Sequence, residues 1–150
     1  GAAPANTTRS ATPVSTASFR NAASYGPMPT ISSFTSGTVR ATAGSLFHLP
    51  VVAGVGLAEA VAGMRTAGLA ILVADGTGEL DLDDLQDEGA DGRLGGPVAW
   101  VFGNEAWGLY EEERALADAV VRVPVHGRAE SLNLATAATV CLYATARAHR

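Results

Sequence analysis

The sequence predicts an α/β fold, a mainly parallel sheet flanked by helices. Three observations carry this. Short apolar runs recur at residues 48–52, 69–74, 97–102 and 119–125, each of the length of a buried strand. Segments with helical spacing or a helix start lie between and after them, and strands alternating with helices are the pattern of parallel sheets. The chain has 150 residues, 47% of them hydrophobic and 17% charged, which suits one globular domain with one sizeable core.

The elements follow in order. Residues 1–37 are atypical, rich in Ala, Ser, Thr and Pro with little periodicity. Within them, residues 19–25 read as a helical stretch ended by Gly26, and residues 30–34 as a strand. From Val39 the signals strengthen. Residues 48–52 form the first buried strand. Residues 57–67 carry apolar side chains at 57, 60, 61, 64 and 67, the spacing of a helix, and Gly68 stops it. Residues 69–74 are a buried strand, and the Gly-rich acidic segment to Gly96 is a loop with room for a short strand or turn. Residues 97–102 are a strand, residues 110–117 a short helix with an acidic front, and residues 119–125 a strand that Pro124 closes. A long helix runs over residues 131–148, with Leu132, Ala135, Ala138, Leu142 and Ala146 on one face; at 1.5 Å per residue it is ~27 Å long. No internal repeat or heptad pattern occurs.

Charge and composition exclude several functions. The formal net charge is −5, against a protein that coats nucleic acid through bulk basicity. No Asp or Glu precedes Glu59, whereas Arg9, Arg20 and Arg40 do, and an acidic run with Asp81, Asp83, Asp84, Asp87 and Glu88 reads as a solvated face that repels phosphate. Every basic side chain is Arg, which reads as compositional bias. No apolar stretch reaches the roughly 18–20 residues that span a bilayer, and no signal peptide is visible, so a cytoplasmic protein without membrane contact is expected. The single Cys141 excludes an intramolecular disulfide and reads as a small apolar filler. His48, His126 and His149 have no ligand spacing, so no metal is expected.

Open parallel sheets bind ligands at the C-terminal ends of their strands. The strand at 97–102 runs into Phe102-Gly103-Asn104-Glu105-Ala106-Trp107-Gly108-Leu109, where two glycines permit tight turns and close approach of a ligand. The strand at 119–125 leads into Val123-Pro124-Val125-His126-Gly127-Arg128-Ala129-Glu130-Ser131-Leu132-Asn133-Leu134, which opens the last helix; a helix start offers free N–H groups to an anion. Each loop alone also reads as a Gly-rich connection or an ordinary Ser cap.

Together, in this order and at this separation, the two loops resemble motifs 2 and 3 of the SpoU/TrmH branch of the SPOUT methyltransferases. The segment from Val39 to Pro50 resembles the stretch before a central strand in the same family, and the resemblance covers roughly residues 38–150. It implies a deep C-terminal trefoil knot, a homodimer with active sites near the subunit interface, and S-adenosyl-L-methionine as methyl donor to a ribose 2′-hydroxyl of RNA, ribosomal RNA before transfer RNA. Methyl transfer from a sulfonium is an in-line displacement with a neutral thioether leaving group, so alignment is the main demand, worth ~7–11 kcal/mol.

By that resemblance Gly103, Val123 and Leu132, with Leu109 and Val125, hold the cofactor through backbone groups and apolar cover. Glu105 orients the loops or the partner subunit's catalytic arginine, and Ser131 and Asn133 hold substrate or cofactor groups in attack geometry. The catalytic arginine belongs to family motif 1, Asn-x-Gly-x-x-x-Arg-x-Ala. The nearest match runs from Val14 to Ala22: Arg20 and Ala22 fit, whereas Val14 and Thr16 stand where Asn and Gly are expected. Arg20 is the candidate. The loss of pattern upstream of Phe19 reads either as a shifted reading frame or as divergence. No separate N-terminal RNA-binding domain is expected within residues 1–150. Two other readings stand beside the enzyme: a catalytically impaired knotted dimer that binds cofactor or RNA, and a nicotinamide oxidoreductase based on Gly54-Val55-Gly56, which lacks the third glycine of that fingerprint.

Overall fold

The computed structural model describes residues 15–19, 30–31, 43–44, 48, 51–52, 55–103, 108–129 and 131–150. In chain order the elements are β1 (Ser15–Phe19), β2 (Thr30–Ile31), β3 (Val51–Val52), α1 (Leu57–Thr66), β4 (Ala70–Ala74), β5 (Leu80–Asp81), α2 (Leu82–Asp87), two 3₁₀ turns (Gly89–Asp91 and Arg93–Gly95), β6 (Val98–Phe102), α3 (Glu111–Arg114), β7 (Ala119–Arg122) and α4 (Leu134–Ala148). One sheet joins all seven strands in the order β3-β2-β1-β6-β4-β7-β5. β4 lies between β6 and β7 and is parallel to both, and β5 adds to β7 in parallel. β1 is antiparallel to β6 and β2, so the sheet is mainly parallel, as expected, with one reversed strand.

Strand alternation divides the core between the two faces of the sheet. Ile71 and Val73 of β4, with Ala99 and Val101 of β6, pack against Ala60, Val61 and Met64 of α1. Leu72 of β4, with Val98, Trp100 and Phe102 of β6, faces Leu82 and Leu85 of α2, Leu94, and Cys141 and Ala144 of α4. All five residues of β6 are buried, the mark of a central strand covered on both sides. Trp100 donates its indole N–H to Thr145 Oγ1 at 2.9 Å, and that hydroxyl donates to the Cys141 carbonyl at 3.0 Å, so the polar groups of this face are paired. Burial pushes the Cys141 thiol up to about 12, consistent with a packing residue.

Helix ends follow local chemistry. α1 stops at Gly68, whose φ of +79° suits glycine. The N–H groups of Gly68 and Leu69 bond the carbonyls of Arg65 and Met64 at 2.9 and 3.0 Å, a Schellman closure. α2 begins where Asp81 Oδ1 accepts from the Asp83 N–H at 3.0 Å.

Several expectations need correction. The segment before Gly96 holds a six-residue helix as well as a short strand. Asp83, Asp84, Asp87 and Glu88 are solvated, but Asp81 is a half-buried cap. Phe19 ends a strand instead of opening a helix, because pairing with β6 overrides weak local preference; residues 20–25 lie outside the described residues. The last helix starts at Leu134, not Ser131, because Asn133 is its cap: its backbone is extended and its Oδ1 accepts from the Ala135 N–H at 2.9 Å. Its 15 residues span about 22 Å. The expected knot depends on loops that include residues 104–107 and 130, which lie outside the described residues. Among the described residues no helix is long and apolar enough to cross a membrane, and no group of three or more metal-ligating side chains is placed to hold an ion.

Candidate cofactor pocket and active site

Because β4, β6 and β7 are parallel, their C-terminal ends share one edge of the sheet. A pocket of about 770 Å³ opens there, within the usual size range of small-molecule sites. Three chain segments meet in it. β4 contributes Ala74 to Thr77, β6 contributes Phe102 and Gly103 with Gly108 and Leu109 from the returning loop, and β7 contributes Arg122 to Val125, followed by Ala129, Ser131, Leu132, Leu134 and Ala137.

The structure therefore brings together all five residues assigned to the cofactor: Gly103, Leu109, Val123, Val125 and Leu132. Ser131 joins them, exposed at the rim. Asn133 does not line the pocket; it caps α4 beside it. Arg20 and Glu105 lie outside the described residues. At Gly103 the loop closes back on its own strand: a Cβ there stands 2.5 Å from the Gly108 carbonyl carbon and 2.8 Å from the Leu109 nitrogen. Only glycine lets the two ends of the motif 2 loop meet so closely.

The loop after β4 was not singled out from the sequence, although the rule of strand ends pointed to it as it did to the other two. Asp75 is its centre. The Asp75 N–H donates to the Val121 carbonyl at 3.0 Å, which ties the loop to β7. Asp75 Oδ1 accepts from the Thr77 N–H at 2.9 Å and the Thr77 hydroxyl at 2.7 Å. Arg114 donates to Thr77 Oγ1 at 3.0 Å and pairs with Glu111 at 2.8 Å, while its distance to Asp75 Oδ2 is 3.9 Å. On the β7 side Arg122 Nε pairs with Asp81 Oδ2 at 3.0 Å. The acidic segment thus supplies the pocket with one carboxylate, Asp75, and holds Arg122 through a second, Asp81, where the sequence suggested only a solvated face.

Apolar walls from Phe102, Leu109, Val123, Val125, Leu132 and Leu134 suit a flat heterocycle, and the glycine backbone around 103 and 108 admits close approach. Asp75 and Ser131 add polar ends. Fold and pocket define an α/β protein with a largely apolar cleft at its strand ends, of a size that suits a nucleoside-like ligand.

The particular family follows from comparison. The model of the SpoU rRNA methylase family matches residues 16–143, and the chain belongs to that family. The match reaches further toward the N-terminus than the motif resemblance did. A tRNA/rRNA methyltransferase of Archaeoglobus fulgidus, described as uncharacterised, is 34% identical over 135 residues, which are 89% of this chain and 57% of that protein. Among solved structures, the SpoU methyltransferase AviRb of Streptomyces viridochromogenes, in complex with AdoMet, aligns at a TM-score of 0.62 with 34% identity, over 76% of this chain and 44% of that one. A chain solved for the 2-OH methylation of C/U34 on tRNA aligns at a TM-score of 0.62 with 25% identity, over 81% of this chain and 78% of that one. The chain thus spans little more than half of the Archaeoglobus relative and less than half of AviRb.

Proposed function

We propose that this chain is the catalytic domain of an S-adenosyl-L-methionine-dependent methyltransferase that modifies a ribose 2′-hydroxyl of RNA, ribosomal RNA in the first place. The observation that carries the reading is that described residues of motifs 2 and 3, Gly103, Gly108 and Leu109 with Val123 to Val125, Ser131 and Leu132, line one pocket. The cofactor seen with AviRb supports the donor, and the family description supports ribosomal RNA. Transfer RNA is the alternative, favoured by the relative solved for C/U34 methylation.

The bound cofactor supplies an electrophilic methyl group on a positively charged sulfur. The chain's part is placement. Phe102, Leu109 and Val123 to Val125 exclude water from the adenosyl group, and the Gly103 backbone borders it. Ser131 at the rim holds the ribose or the cofactor's polar end. Asn133 positions that rim by fixing the start of α4. Arg20 is the candidate for the arginine that acts as base or stabilises the alkoxide, and Glu105 for the residue that orients the loops or the partner subunit's catalytic arginine. The family resemblance implies a trefoil knot, and two copies associate through α4, whose Val140 and Tyr143 are exposed, Tyr143 at 61%. The domain is proposed to act in the cytoplasm.

The test is mass-spectrometric mapping of ribosomal and transfer RNA after incubation with the protein and labelled cofactor. A single 2′-O-methylated ribose is the expected product. A methyl group on a base overturns the ribose assignment. Cofactor binding without turnover on either RNA favours the impaired binding module, a reading suggested by Val14 and Thr16 where motif 1 has Asn and Gly.

A further inference from the structure

We propose that the Asp75 carboxylate makes this pocket prefer the cationic methyl donor over its neutral demethylated product. The proposal rests on the cofactor reading above and adds a residue and a role that the two motifs do not contain.

Asp75 lines the pocket, and its side chain is only 16% exposed. Its two oxygens are used unequally. Oδ1 takes both bonds from Thr77. Oδ2 has no hydrogen-bond donor among the described residues; its ion-pair partner is Arg114 at 3.9 Å. It faces the motif 2 loop, 3.8 Å from where a Cβ on Gly108 would stand. Arg114 and Arg122 make their shorter ion pairs elsewhere, with Glu111 and Asp81. Among the ion pairs of the described residues that of Asp75 is the longest, so its carboxylate is the least closely paired.

A charge held against apolar walls acts on a ligand far more strongly than one in water. The donor carries a positive sulfonium. On transfer of the methyl group to the ribose oxygen the C–S bond would break, a C–O bond would form, the hydroxyl proton would pass to water and the sulfur would become a neutral thioether. The ligand that remains has lost its attraction to Asp75, which favours exchange of product for fresh donor.

Calorimetric titration of the purified chain with S-adenosylmethionine and, separately, S-adenosylhomocysteine tests this. Asp75→Asn keeps an oxygen to accept from Thr77, so the turn is retained, and thermal unfolding checks the fold. The expected result is a loss of donor affinity of roughly fivefold to tenfold, with product affinity unchanged within about twofold. Arg114→Gln removes a counter-charge and shifts the ratio the other way, toward the donor. Equal weakening of both ligands by Asp75→Asn, or no change in their ratio in either variant, overturns the proposal. Failure of the unaltered protein to bind either ligand is a different result, which removes the cofactor reading and this proposal with it.

Discussion

Gly103 and Asn133 show how single residues set the pocket and the helix start beside it. A methyl group at Gly103 meets backbone and not a movable side chain. Gly103→Ala is therefore expected to force the 103–109 loop outward, at a cost of about 1–3 kcal/mol in stability and a loss of cofactor affinity of at least about tenfold. Denaturant unfolding and calorimetry read the two effects separately. Asn133 was identified from the sequence as a site residue by family resemblance, and its cap role came from the structure. Asn133→Ala is expected to cost about 1 kcal/mol of stability by loss of the cap, with Asn133→Asp and Asn133→Ser close to the unaltered protein. Should activity fall in the Ser variant while stability holds, Asn133 acts on the reaction as well as on the helix. Asp75 was hidden at this scale, because one carboxylate in a dense acidic run looks like any other until its neighbours in space are known.

At the scale of elements, legibility followed apolar content. The runs of β4 and β6 stood out because strands buried on both faces carry unbroken apolar sequence. α1 stood out by its period and its glycine stop. α2 did not, because only Leu82 and Leu85 turn inward, too few positions to set a period, and its cap is one more acid in an acidic run. β1 was illegible for another reason: its partner β6 was recognisable, but pairing by backbone groups leaves no requirement on side-chain type. α4 was legible in its body and misread at its start, since the residues before Asn133 serve the pocket and not the helix. Its inner face offers a test of packing. Thr145→Val keeps the shape but leaves the buried Trp100 N–H without its acceptor. A loss of about 1–3 kcal/mol in unfolding free energy is expected. An unchanged midpoint in denaturant refutes this account of the layer.

For the whole molecule, the exposed Val140 and Tyr143 on α4 provide the surface on which the proposed dimer depends. Tyr143→Arg is expected to weaken association by about 2 kcal/mol, roughly thirtyfold, seen as a shift toward monomer in sedimentation or light scattering, with the fold retained. Equal masses for variant and unaltered protein place the interface elsewhere. By itself the sequence determined the layered α/β class, most of the strands and helices, and the two motif loops that tie the chain to its family, because apolar period and glycine placement are local properties. Only the tertiary structure decided that a third loop, with Asp75 and Thr77, completes the pocket, that Arg122 and Arg114 are held by Asp81 and Glu111, and that β1 runs against its neighbour. The physical reason is that parallel strands gather ends lying far apart along the chain, and the charge balance of a site depends on which ends are brought together.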